Sequence, residues 1–451
     1  MSPPAYRLSK SRYTYGLQCH KHLWWRAHEP TAPELVPSPA LQARFAVGTR
    51  IGEVARSYVP GGVLITGAPS QARARVAATA EALAGGAPAV YEATFVADDV
   101  YAALDILERT DDGFALVEVK SSTHVRDQYV ADAAIQAWVA RRAGVPVRRV
   151  EIMHLNRGCT YPNLSDLFTR ADVTARVDAM GPGIPEAVAR QIAMLAGPLP
   201  EVATGAHCTK PYDCPFLGRC WPLEPAIPAG IAPVVRSVLG EALAPFSAGL
   251  AFLDFETVQP AIPVWHGCHP FDLVPAQFSC DVVAPDGALV HHEWLAEGPG
   301  DPRPALAEAL VRACEGVEGV VAYWAAFERG CLHHLAAAVP ALAGPLESIA
   351  AKLVDLYPVV KRHVSHPGFR GSFSLKSVLP VLVEDMSYES LAVREGEMAT
   401  NEIARLLFHG DAMSAAERMA VRQALLAYCA LDTLAMVKLL ERLRALAGRG
   451  A

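Results

Sequence analysis

Two hydrophobic spacings alternate along this chain of 451 residues. Over 41–57 and 70–84 apolar positions recur every three to four residues, the period of a helix with one buried face. Over 90–96, 100–108 and 114–120 they alternate, with the polar turn Asp111-Asp112-Gly113 before the last run, which predicts a three-stranded meander. A helix over about 127–143 and a strand from Arg148 to Asn156 follow. The pattern restarts with an apolar strand at 250–256, strands near 276–283 and 288–294, a helix near 304–315, a strand at 319–323 and a helix at 325–337. Long helical spacing closes the chain, the last stretch covering about 414–444. Strands interleaved with helices predict an α/β fold in each half. Between the halves lie Pro222, Pro225, Pro228, Pro233 and Pro245, so the expected organisation is a domain over 1–221, a proline-rich linker over 222–248 and a domain over 249–451.

Composition narrows the class. Hydrophobic residues at 52% against 19% charged describe a chain that packs a core, and the length suits more than one domain. No 18-residue run lacks a polar interruption, and the N-terminus has no apolar signal core, so a cytoplasmic, non-membrane protein is expected. Its ten cysteines are then expected as thiols or metal ligands. The net charge of −7 excludes a uniformly basic coat, yet no acid precedes Glu29, while Arg7, Lys10, Arg12, Lys21 and Arg26 do. Interleaved with Tyr6, Tyr13, Tyr15, Trp24 and Trp25, these cations can line a single-strand channel, or the rings can pack around Cys19.

Two constellations carry chemistry. Alternation puts Glu118 and Lys120 on one face of their strand and Val117 and Val119 on the other. Charged groups on a central strand are costly unless used, and Asp105 on the preceding strand can meet them. Asp105 and Glu118 can then hold Mg²⁺ or Mn²⁺, and Lys120 can orient a water whose pKa the ion lowers. The strand Leu253-Asp254-Phe255-Glu256 repeats the logic with two carboxylates on one face, while Tyr428 and Asp432 stand one helical turn apart near the C-terminus. Adjacent histidines, His291-His292 and His333-His334, point apart and are expected in solvent.

The motif Asp105-x12-Glu118-Val-Lys120-Ser-Ser resembles the PD-(D/E)XK core of RecB-like nucleases. Gln136 is similar to the helix glutamine which that family sets beside the site, with Asp132 one turn earlier, and Glu53 would replace its first-helix histidine. Cys208-x5-Cys214-Pro-Phe-x3-Cys220, with Cys19 far upstream, resembles the iron–sulfur staple of RecB-like exonucleases, including those of CRISPR adaptation. That resemblance implies a [4Fe–4S] cluster, with a structural zinc as the alternative. Asp254-x-Glu256 with Tyr428-x3-Asp432 resembles the tyrosine-type DEDD exonucleases of the DnaQ-like, ribonuclease H-like fold. Their middle acid corresponds to Glu328 in Tyr323-Trp324-Ala-Ala-Phe327-Glu328, with Asp355 a second candidate; tryptophan stands where asparagine is expected. His366-Pro-x-Phe-Arg-Gly-Ser-Phe-Ser-x-Lys376 can grip a phosphate or cap the following helix.

Together these motifs resemble a bacterial two-nuclease fusion. The resemblance implies an exonuclease with Mg²⁺ or Mn²⁺ at both sites, acting on nucleic acid, foremost single-stranded DNA, with DNA-repair, defence or CRISPR-related partners. The alternative is a nucleic-acid-binding adaptor with one decayed site.

Overall fold

The computed structural model describes residues 6–221, 233–235, 238–246, 249–284, 286–383 and 386–448. They form a mixed α/β protein of two compact units, Met1–Glu224 and Pro225–Ala451.

The first unit runs β1 (Leu8–Ser9), α1 (Lys10–Gln18), α2 (His20–His28), α3 (Pro39–Ser57), β2 (Val63–Leu64), α4 (Ala72–Ala84), β3 (Ala89–Ala97), β4 (Val100–Thr110), β5 (Gly113–Lys120), α5 (Asp127–Arg142), β6 (Val147–Leu155), β7 (Phe168–Asp172), α6 (Thr174–Met180), α7 (Ile184–Leu195) and α8 (Leu217–Cys220). Its sheet has the order β2-β3-β4-β5-β6-β7, with β1 beside β4. The β3-β4-β5 meander is antiparallel, and β6 joins β5 in parallel through α5. Helix α5 is present because its face of Val130, Ala133, Ala134, Ala137 and Ala140 is small and apolar and lies flat on the sheet with Leu104 and Leu116. Val117 joins Ala55 and Met153 in a cluster on α3's side, which leaves Glu118 and Lys120 for the α5 side.

The second unit runs β8 (Val234–Val235), α9 (Leu239–Ala242), β9 (Leu250–Val258), β10 (Val274–Val283), β11 (Leu289–Leu295), α10 (Arg303–Ala313), β12 (Gly319–Ala322), α11 (Ala325–Ala338), α12 (Ala343–Ala351), β13 (Leu353–Asp355), α13 (Tyr357–His363), β14 (Val364–Ser365), α14 (Leu375–Leu382), α15 (Gly396–His409) and α16 (Ala415–Ala447). Its main sheet has the order β11-β10-β9-β12-β13, antiparallel on one side of β9 and parallel on the other. Leu253 and Phe255 of β9 pack with α10, α11 and α12, while Phe252 packs with Met436 and Leu440 of α16. Helix α16 is long and apolar enough to cross a membrane, but it buries Leu425, Leu439 and Leu443 and carries Asp432 inward, as a core helix does. The expected linker over 222–248 falls largely outside the described residues. Its described part is not a free tether: Leu239, Leu243 and Phe246 are buried in the second core, and β8 pairs with β14.

Candidate functional sites

In the first unit the meander delivers Asp105 and Glu118 from adjacent strands, and α5 supplies Asp132 and Gln136, one turn apart. Glu118 is 1% exposed. Its Oε1 accepts from Lys120 Nζ at 2.7 Å and from Lys10 Nζ at 3.4 Å, and its Oε2 accepts from Gln136 Nε2 at 2.7 Å. Lys120 Nζ also donates to Asp132 Oδ2 at 2.6 Å, and Asp105 Oδ2 accepts the Val119 amide at 2.8 Å. Burial and the Asp105 carboxylate push the Glu118 pKa up, but Lys10 and Lys120 outweigh them and hold it below the usual range. Burial depresses both lysines, and the acids more than reverse it, so both stay charged.

The fold thus brings Asp105, Glu118, Lys120 and Gln136 together. Lys10, at the start of α1, was missed. Its only signal was a cation in an acid-free opening segment. Glu53 is not gathered: it is exposed and pairs with Arg50 on its own helix.

The four cysteines of the frame, Cys19, Cys208, Cys214 and Cys220, line one cavity with His22, Trp25, Phe216 and Leu217. Phe216 is fully buried, flanked by Trp25 and His22 rings at 5.0 and 5.8 Å. Of the five expected rings Trp25 lines the cavity beside Cys19, while Tyr6 stacks on Tyr101 at 4.8 Å, Trp24 stacks on His28 at 4.0 Å and Tyr13 is buried in the sheet core. Tyr15 lies against Arg26 at 4.1 Å and His22 at 4.9 Å. Burial and the neighbouring cysteines raise the Cys214 pKa, and none of the four is in a disulfide. Among the described residues no three of these sulfurs lie within 4.8 Å of one another.

In the second unit β9 presents Asp254 and Glu256, and α16 presents Tyr428 and Asp432. Among the described residues, Asp254, Glu256 and Asp432 form the single set of three candidate ligand atoms within 4.8 Å of one another, a set that can hold a metal ion. The set is built of oxygen donors, as hard divalent cations prefer. Burial and mutual repulsion push Asp254 and Glu256 well above the carboxylate range, and burial lifts Asp432 to about 6. Glu328 is 3% exposed, its Oε2 has no partner, and burial, with Asp355 nearby, raises it to about 8. Its charge is felt by Asp254 and Glu256, although it stands outside the close triad. Asp105 and Glu118 belong to no such triad either.

Hydroxyls and one cation border the acids. Tyr388 Oη donates to Asp432 Oδ1 at 2.5 Å, and Lys376 Nζ donates to Tyr428 Oη at 2.7 Å. Burial and the acids push both tyrosines far above the ordinary phenol value, so their protons stay on. Cys429 Sγ lies 3.5 Å from Asp254 Oδ2. Tyr388 and Cys429 were missed, having no spacing that marks them.

The loop over 366–376 takes the capping role. Ser374 caps α14 by accepting from the Ser377 amide, and that helix carries Lys376 to the acids. Asp355, the second candidate, braces a turn: its Oδ1 accepts the Trp324 and Tyr357 amides, both at 3.0 Å. His291 is exposed, as expected, and its Nδ1 lies 2.8 Å from buried Asp281. His333 is exposed, beside Glu347 at 3.5 Å.

Residues 251–374 match a family model described as a domain of unknown function, DUF2779. No curated protein matches the chain. The matched stretch includes Asp254, Glu256 and Glu328 and stops short of Lys376, Tyr428 and Asp432.

Proposed function

We propose that the chain is a metal-dependent nuclease with two active sites of different design. The observation that carries this is the buried triad Asp254, Glu256 and Asp432 beside a lysine and two protonated phenols. Three carboxylates buried together without a cation are destabilising, and a divalent metal offsets both their burial and the repulsion that adds to it at Asp254 and Glu256. Mg²⁺ or Mn²⁺ held there would polarise a phosphodiester and its attacking water. The protein's own groups do the rest. Glu328, with an unpartnered oxygen, completes the acid set. Tyr428 Oη, fixed by Lys376, keeps its proton and can orient the water, and Lys376 Nζ faces the charge that builds on the phosphate oxygens.

The sheet order of the second unit supports a ribonuclease H-like, DnaQ-like reading. The meander, α5 and parallel β6 of the first unit support a PD-(D/E)XK reading. There Asp105 and Glu118 would hold the metal, with Lys120 and Lys10 stabilising the leaving charge and Gln136 fixing Glu118. The cysteine frame would hold a [4Fe–4S] cluster in a structural role. Trp324 removes no acid from the set, which weakens the adaptor alternative. Ten cysteines held outside any disulfide suit a reducing setting such as the cytoplasm.

The test offers end-labelled single- and double-stranded DNA and RNA, with Mg²⁺ or Mn²⁺, to the wild type, Lys120→Ala, Asp254→Asn and the double variant. Each single variant should lose one cleavage activity and the double variant both. Intact substrate with wild-type protein in Mn²⁺ would overturn the proposal.

A further inference from the structure

Trp324 is the feature that neither the acids nor the core explains. Its indole is 55% exposed, an unusual position for so large a ring. Its backbone sits at φ 85°, ψ 54°, a left-handed conformation that bulky side chains rarely adopt. Asp355 holds the turn by accepting the Trp324 amide, and α11 begins at the next residue. Beside the indole lies the Tyr357 ring, with centroids 4.8 Å apart, and the exposed Lys361 ammonium stands 5.3 Å from the far phenol ring. One helical turn past Trp324 is Glu328, buried, with an oxygen that has no partner. Backbone strain of this kind persists where surrounding structure enforces it, and here it holds a flat apolar surface in solvent.

We infer that Trp324, backed by Tyr357, is a stacking platform for a nucleobase of the strand being cut. This rests on the nuclease reading of the second unit and adds to it the part of the substrate that the unit recognises: an unpaired base rather than backbone alone. A base has a π-face whatever its identity, so the platform binds single strands with little sequence preference. Lys361, beyond Tyr357, adds a cation for the backbone. A paired terminus offers no free face and has to fray first.

The experiment uses the full chain carrying Lys120→Ala, so that only the second unit cuts, with Mn²⁺ and single-stranded DNA. KM and kcat are compared for Trp324, Trp324→Phe, Trp324→Leu and Trp324→Ala, each on an intact strand and on strands with an abasic nucleotide at either end. Stacking predicts that Leu and Ala raise KM about tenfold or more with little change in kcat, while Phe keeps most of the affinity. It also predicts that abasic substrate harms the parent and leaves Trp324→Ala no worse. Unchanged KM in the Leu and Ala variants, or a fall in kcat shared by Phe, overturns the platform while leaving the nuclease reading intact. No cleavage by the Lys120→Ala parent, where Asp254→Asn still cuts, overturns the platform and the second site together.

Discussion

At the scale of single residues, the first unit balances one buried carboxylate against two lysines and an amide. Gln136 is fully buried and gives Glu118 Oε2 its hydrogen bond. Gln136→Leu leaves that oxygen without a donor, a change that costs about 1–3 kcal/mol. Urea denaturation of the variant should show that loss, and Gln136→Glu should be worse, since it adds a second buried acid. Glu118 and Lys120 were legible because charge on an alternating apolar strand is conspicuous. Lys10 was not: it lies far away in sequence, and only packing of α1 brings its ammonium to the acid.

At the scale of elements, long strands and long amphipathic helices were readable. The meander ends within two residues of its expected bounds because alternation and an Asp/Gly turn fix it locally. Helices α1 and α2 were not readable, since His20–His28 mixes histidine and tryptophan without a clean face. Helix α14 contains Pro380, which the pattern reads as a stop. That helix is nevertheless what delivers Lys376, and its start depends on the Ser374 hydroxyl. Ser374→Ala should destabilise the second unit by about 0.5–2 kcal/mol. Cleavage at the Asp254 site should fall by more than that loss explains, because Lys376 then leaves Tyr428 unsupported. Ser374→Asp, which caps equally well, should restore stability. On the cysteine side, Phe216→Ala removes the ring packed beneath the sulfur frame and should cost about 3–5 kcal/mol. Any absorbance from a bound cluster should be lost with it, as it should in Cys214→Ser.

For the whole molecule, the acids of the second unit set a pH dependence. Folding raises Asp432 to about 6 and Glu328 to about 8, so each binds its proton more tightly in the native state. The stability this adds is complete below the unfolded carboxylate range and is lost as pH rises through about 6 to 8. Metal-free protein should therefore melt at a lower temperature at pH 8.5 than at pH 5.5. Mn²⁺ should raise the melting temperature more at pH 8.5, where the ligands are ionised. Asp254→Asn should flatten both trends in calorimetry with and without chelator. An unchanged difference between the two pH values would place the repulsion elsewhere. The division into two units was visible as a restart of the hydrophobic pattern. That residues 238–246 belong to the second core was hidden by the prolines around them, which read as a tether while Leu239, Leu243 and Phe246 fill a core.

Helix α1 has only nine residues, about 14 Å at 1.5 Å each, yet its ends meet two chemistries. The residue that opens it, Lys10, neutralises Glu118, and the one that closes it, Cys19, belongs to the sulfur frame. A rod pinned at both ends transmits displacement, so oxidative damage to the thiols should surface as misplaced charge beside the carboxylate. Aerobic ageing of the protein would then dull the first blade and spare the second.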